Sequence, residues 1–287
     1  MRHRVEFWVV RALVGLVRLM PFPMVDFCGT CLGRAFFWLD RSHRRIAEQN
    51  VLEAFPSRSA EERRQIVQRA FVHFGRLLFA LLKFSTLTPE EILARVEFTG
   101  EEHVRRAQER GKGILFVTGH FGFWEIQALA HALKLRPMTV LARTLDNPHL
   151  NDLLERIRTR TGNGVVYRRR TIRRVMRLLA EGQGVGILID QHTLGNDAIQ
   201  VEFFGRPAAT TPVVAALALR TGASVIPLFA LPTGAGRYRL MYEHPVVPPP
   251  EDSEQRVQEF TQRCTDILEM YVRRNPELWL WMHRRWR

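Results

Sequence analysis

Apolar positions divide the chain into two parts of different rhythm. Through residues 1–94 they recur at helical spacing. One apolar helix runs up to Pro21-Phe22-Pro23, and a second covers about Met24 to Leu39 with a single acid, Asp26. A further helix opens at Ser59-Ala60-Glu61-Glu62, where Ser59 can cap and Glu62 stands at the capping-box position. Its apolar face carries Ile66, Ala70, Phe71, Phe74, Leu77, Leu78 and Leu81. From residue 95 onward short apolar runs alternate with helical ones. Strands are expected at Val96-Phe98, Ile114-Thr118, Met138-Ala142, Val185-Asp190, Ile199-Phe203, Ser224-Ala230 and Tyr238-Tyr242, and helices at 101–110, 123–134, 148–161, 171–181 and 212–221. Several strands are unbroken apolar runs, as expected when both faces of a sheet are covered. The alternation predicts an α/β fold with a mostly parallel central sheet flanked by helices. Pro248-Pro249-Pro250 closes this part, and a last helix begins near Glu251. The expected organisation is an N-terminal membrane-associated helical region, 1–94, and an α/β domain, 95–287, with a C-terminal helix.

The membrane assignment comes from the first helix. Arg4, Arg11 and Arg18 are spaced by seven, which sets them along one narrow stripe. Apart from Glu6, everything between them is apolar or glycine. Such a helix suits a membrane interface with arginines at the headgroups. The arginines also interrupt any span of about 18 uncharged residues, and no secretory cleavage pattern follows. The tail 278–287 holds three of the six tryptophans among arginines, which suits either a membrane interface or a hydrophobic seal on the domain.

Charge narrows the partners. The chain has 42 basic against 29 acidic residues, a net +13, and only Lys83, Lys112 and Lys134 are not arginine among the basic ones. A basic protein calls for an acidic partner: nucleic acid, an anionic membrane or an acidic carrier protein. The arginines are dispersed over a hydrophobic chain with no zinc finger or RNA-recognition signature, which argues against nucleic acid. The densest cluster is Arg168 to Arg170 with Arg173, Arg174 and Arg177. Three cysteines, an odd number in a long chain, indicate a reducing compartment. Cys28-Gly29-Thr30-Cys31 has redox-motif spacing but lies in an apolar stretch with no strand before it.

Candidate chemistry centres on Gly113-Ile-Leu-Phe-Val-Thr-Gly-His120-Phe-Gly-Phe-Trp-Glu125. A buried strand, a turn flanked by Gly119 and Gly122, and a following helix place His120 just past a strand end, where open α/β folds bind ligands. A histidine there can serve as a general base. Glu125 can hold the imidazole, provided the turn at Gly122 brings the two together. Spacing alone is weak: His43-Glu48 and His192-Asp197 share it, and about one such pair is expected by chance with ten histidines. No second ligand pair completes a metal site.

The sequence Gly119-His-Phe-Gly-Phe-Trp-Glu125 resembles the His-x4-Asp/Glu block of glycerolipid-type acyltransferases, and more narrowly the late acyltransferases of bacterial lipid A biosynthesis. Similar blocks follow in order: Arg143 with Asn147-Pro148, Arg158-Thr-Arg160, Asp190-Gln191-His192, Phe203-Phe204-Gly205-Arg-Pro, Pro227, and the final Trp-x-Trp-x-His-Arg-Arg-Trp. The matches run from about 113 to the end of the chain. The resemblance implies transfer of a fatty acyl chain from an acyl carrier protein thioester to a hydroxyl of a lipid A precursor, with no cofactor. It places the protein at the cytoplasmic face of the bacterial inner membrane. His120 would take the acceptor proton, supported by Glu125, and Arg158 would hold the acceptor or the developing oxyanion. Arg143 and Arg160 would contact phosphate or phosphopantetheine, Asn147 joins the substrate-binding set, and Asp190, at a strand end, either joins it or is structural. Phe204 and Gly205 either line an acyl pocket or form a core turn. The basic cluster would dock the carrier protein or lipid phosphates. A related acceptor, such as a phosphatidylinositol mannoside or an ornithine lipid, is the alternative.

Overall fold

The computed structural model describes residues 1–167, 171–193 and 198–286. The first part is helical: α1 (Arg2–Leu19), α2 (Phe22–Leu39), α3 (Arg41–Ala54), α4 (Ala60–Phe84) and the short α5 (Pro89–Leu93). The alternating part follows as β1 (Val96–Thr99), α6 (Glu101–Glu109), β2 (Ile114–Thr118), α7 (Trp124–Lys134), β3 (Met138–Ala142), α8 (Pro148–Thr159) and β4 (Gly164–Tyr167). It continues through α9 (Thr171–Ala180), β5 (Gly184–Leu188), β6 (Ile199–Phe203), β7 (Arg206–Thr210), α10 (Val213–Thr221), β8 (Ser224–Gly234) and β9 (Arg237–Tyr242). Helix α11 (Arg256–Arg274) and a 3-10 turn at Pro276–Leu278 lead into the tail.

Seven strands form the central sheet in the order β1-β9-β8-β2-β5-β3-β4. Every pairing is parallel except β8 with β9. The α/β expectation with a mostly parallel sheet therefore holds. β2 shows why its unbroken apolar run was informative: Leu115 and Val117 point into one core, Ile114 and Phe116 into another. A period of two with both sets apolar means helices on both faces. Expected strands that pair in the sheet were found with small end shifts. β4 and β7 were not anticipated. Gly164-Val-Val-Tyr167 is short, and Arg206-Pro-Ala-Ala-Thr210 carries a proline that demotes a strand, tolerated here in a two-stranded hairpin.

The N-terminal helices are built from local signals. Ser59 caps α4 by accepting from the Glu62 N–H at 3.2 Å, while Glu62 accepts from the Ser59 N–H at 2.7 Å, so the capping box is complete. α2 crosses α4 backbone to backbone: a Cβ on Gly29 would lie 2.5 Å from the Arg76 Cα, and one on Gly75 would lie 2.3 Å from the Gly29 carbonyl oxygen. Only glycine permits that approach. α3 and α4 give Ala47, Val51, Ile66 and Phe71 to the same core as β2 and β5. α1 packs less deeply, and Val17 is its one buried residue. Val5, Trp8, Val9, Leu16 and Leu19 of α1 and Met24, Phe27, Trp38 and Leu39 of α2 remain exposed. Among the described residues no helix is long and apolar enough to cross a membrane.

Candidate active site

Strand register brings His120 and Asp190 together. Thr118 of β2 pairs with Leu188 of β5. The residues two further on therefore leave the sheet side by side at its C-terminal edge, where open α/β sheets bind ligands. Asp190 is buried. Its Oδ1 accepts from His120 Nδ1 at 2.9 Å. Its Oδ2 accepts from the His120 backbone N–H at 2.7 Å and from Trp279 Nε1 at 2.8 Å. An ionised carboxylate only accepts, so Nδ1 carries the proton and Nε2 is left as the basic nitrogen. Gln191 Nε2 lies 3.4 Å from that nitrogen. The imidazole is 20% exposed, enough to meet a substrate.

His120 and Asp190 shift each other's proton affinity in opposite directions. Burial alone would lower the His120 pKa, but the Asp190 charge and hydrogen bond outweigh it, helped by the Glu125 charge, and the net direction is up. Burial would raise the Asp190 pKa, but His120, its backbone N–H and Trp279 hold it below the usual carboxylate value.

Glycine and the tail shape the turn. Gly122 has φ +58°, and a Cβ there would sit 2.0 Å from the Ala230 carbonyl oxygen. The loop is then pinned from three sides. The Gly122 N–H donates to the Leu278 carbonyl at 2.9 Å, the Leu280 N–H to the His120 carbonyl at 3.1 Å, and His73 Nε2 to the Gly122 carbonyl at 3.2 Å. Trp279 and Trp281 are buried, so the tryptophan tail is a hydrophobic seal that also braces the turn carrying His120. Asn50 fixes it by donating to the Trp281 and His283 carbonyls.

Glu125 lies close by in the first turn of α7, yet it does not hold the imidazole. Arg158, in the last turn of α8, takes it as a two-pronged ion pair, with Nε to Oε2 at 2.9 Å and Nη2 to Oε1 at 2.5 Å. The expected His120–Glu125 contact is thus corrected. Asp190 occupies the position at Nδ1, because parallel register delivers it there, and the guanidinium fork matches the Glu125 carboxylate. Glu125 acts on His120 through its charge.

Comparison with known proteins now decides the family. The model of the bacterial lipid A biosynthesis acyltransferases matches residues 1–287. The chain belongs to that family. It is accordingly an O-acyltransferase, as the resemblance implied. It is 28% identical over 284 residues to the lipid A biosynthesis lauroyltransferase of Escherichia coli (strain K12), covering 98% of this chain and 90% of that protein. It is 26% identical to the lipid A biosynthesis myristoyltransferase of the same organism, covering 96% and 84%. A lipid A biosynthesis acyltransferase of Haemophilus influenzae is 25% identical, covering 96% and 85%.

Other residues expected to bind substrate in this acyltransferase fall into different places. Asn147 is buried and fully occupied. It caps α8 by accepting from the His149 and Leu150 N–H groups, and it donates to the His3 carbonyl and to Glu6, which ties α1 down. Arg160 covers the C-terminal end of α4, donating to the carbonyls of Phe84, Ser85 and Leu87. Its guanidinium satisfies orphan carbonyls instead of facing substrate phosphate. Phe204 and Gly205, both at positive φ, form the two-residue turn between β6 and β7. Phe204 is buried against Phe55 and Trp281, which resolves the two readings in favour of a core turn. Arg143 is exposed just past β3 with no hydrogen bond or ion pair among the described residues, so it stays free for a ligand. Arg173, Arg174 and Arg177 are exposed on α9, while Arg168 to Arg170 lie outside the described residues.

Among the described residues His43 and Glu48 do not pair with each other. His43 bonds Asp40 at 2.7 Å on an exposed helix start, and Asp197 lies outside the described residues. Trp279 is a residue of the candidate site that spacing could not indicate, since it reaches Asp190 from 89 residues away.

Proposed function

We propose that this acyltransferase moves a fatty acyl chain from an acyl carrier protein thioester to a hydroxyl of a lipid A precursor, with His120 as general base and no cofactor. One observation carries the reading: an imidazole held by a buried carboxylate through Nδ1, with Nε2 open at the sheet edge. The relatives are named for acyl transfer in lipid A biosynthesis, which supports the substrate class.

The reaction follows from that geometry. Neutral His120 takes the acceptor O–H proton on Nε2 as the oxygen attacks the thioester carbonyl carbon. Asp190 stabilises the imidazolium that forms, through the proton on Nδ1. The tetrahedral oxyanion needs a donor. Arg158 spends Nε and Nη2 on Glu125, which leaves Nη1 uncommitted and aimed by a rigid ion pair. When the C–S bond breaks, the thiolate takes the proton back from Nε2, and His120 returns to its resting state.

The surroundings suit the substrates. The exposed apolar side chains of α1 and α2 would rest in a membrane interface with Arg4, Arg11 and Arg18 at headgroup level. The exposed arginines of α9 would meet an acidic carrier protein. Incubating purified protein with acyl-loaded carrier protein and a lipid A precursor, followed by mass spectrometry, tests the proposal. A product heavier by one ester-linked acyl chain is expected. Acylation of a different lipid from the same membrane extract, with that precursor untouched, would overturn it.

A further inference from the structure

A second concave site lies behind the catalytic turn. It is a cavity of about 700 Å³ between α2, α4 and the β8–β9 hairpin. That size is in the range of small-ligand pockets. Its back wall includes His73 and Leu278, the two residues that hold Gly122 from either side. Neither His120, Asp190, Glu125 nor Arg158 lines it, so its walls are separate from those of the proposed acyl-transfer site.

Its charges are unevenly matched. Arg76 lies 3.3 Å from Asp26 and donates to Thr30 at 2.8 Å, so that pair is satisfied. Arg34 on α2 and Arg69 on α4 also line the cavity, and neither has a hydrogen bond or ion pair among the described residues. Glu277 lines it as well, and it too has no hydrogen bond or ion pair among the described residues. Two free guanidinium groups and one free carboxylate around one cavity match a ligand with a phosphate at one end and an amine at the other.

The mouth indicates where the ligand comes from. Arg34 is three residues beyond Cys31, four before Trp38 and seven beyond Phe27, so all four share one side of α2. Phe27 and Trp38 are exposed at 66% and 59%. The basic rim therefore runs directly into the exposed apolar stripe, as a headgroup site runs into the path of its acyl chains.

We propose that this cavity binds the zwitterionic headgroup of a phospholipid, with its phosphate diester on Arg34 and Arg69, its amine toward Glu277 and its chains along Phe27 and Trp38. The proposal rests on reading the α1–α2 surface as lipid-facing. Monomeric short-chain lipid probes the cavity without any membrane, whereas vesicle flotation probes that surface, so the two can fail separately.

The test is calorimetric titration of the full chain in non-ionic detergent with dihexanoyl-phosphatidylethanolamine below its critical micelle concentration. Saturable one-to-one binding is expected. The double variant Arg34→Gln, Arg69→Gln should bind at least tenfold more weakly with unchanged circular dichroism and Tm, since both side chains are exposed and unbonded. Glu277→Gln should remove the preference over dihexanoyl-phosphatidylglycerol. Absence of saturable binding to the wild type, or equal affinity in the double variant, overturns the proposal. Displacement of the lipid by equimolar inorganic phosphate would reveal a free-anion site and also overturn it. So would a tenfold rise in the KM for the glycolipid acceptor with phosphatidylethanolamine binding intact, which would assign the cavity to the acceptor.

Discussion

Two carboxylates stand near one imidazole, and they are held in different ways. Asp190 comes off the end of β5 beside β2 and is buried, and all three of its partners are fixed in the sheet edge or the tail. Glu125 comes off the first turn of α7 and meets Arg158 across a helix pair, with 11% and 18% of the two side chains exposed. The strand-end pair leaves no slack: a Cβ on Gly119 would already meet Asp190 Oδ2 at 2.9 Å. The helix-end pair is a positioned guanidinium with its Nη1 to spare. Under the proposed mechanism Asp190 sets the base, and Glu125, through Arg158, sets the electrophile's side of the site.

The largest effect is expected at the centre of the comparison. His120→Ala should lower the acyl-transfer rate by about 10³-fold, with circular dichroism unchanged. A purified variant at near-wild-type rate would remove the imidazole from the chemistry. Asp190→Asn comes next, at about 10²-fold or more, because the imidazole loses its tautomer and its charge partner. The direction of the pH effect follows from the cause. Asp190 raises the His120 pKa, so without it the imidazole deprotonates at lower pH, and the acid limb of the rate profile should move to lower pH. An unmoved limb would mean that Asp190 does not set the base.

Glu125→Gln should cost less, about tenfold in rate, since the amide keeps one acceptor for Arg158. Its acid limb should move less than that of Asp190→Asn. A larger shift than at Asp190 would reverse the roles assigned to the two carboxylates.

The smallest effect concerns the protein around the site. His73 and His131 are buried, which pushes their pKa values down to about 4 and about 3. The unfolded chain takes up protons near pH 6.5, and the folded one only well below it. Stability should therefore be complete above pH 6.5 and fall as pH drops, by about 1 kcal/mol per imidazole at pH 6. His120 opposes this trend, since its raised pKa stabilises the fold on the acid side of neutrality. Urea unfolding of the His120→Ala variant at pH 7 and pH 6 removes that opposing contribution, and a flat profile there would show that the two buried imidazoles are solvated.

Much of the architecture was legible because its signals are local. Apolar runs such as Ile114–Thr118, the capping box at Ser59 and the glycine turn at Gly122 each depend on residues a few positions apart. His120 was legible for the same reason, as a histidine at a strand-turn-helix junction. Its partner was not. Glu125 lay at plausible spacing, but a partner across parallel strands is set by register, and register is not written within five residues. Asn147 and Arg160 misled for a related reason. Polar groups in matching blocks can serve helix ends as readily as ligands, and only the neighbours they meet decide which.

By itself the sequence determined the α/β class, the strand that presents His120, the amphipathic helices and the family, because periodicity and ordered motifs persist without coordinates. Tertiary structure decided that Asp190 holds His120, that Trp279 and the tail brace the turn, that Arg158 is aimed by Glu125, and that Arg34 and Arg69 face a cavity unpaired. Each of those pairings joins residues 33 to 89 positions apart, or on separate helices, and only the packed sheet and helix crossings bring them within reach.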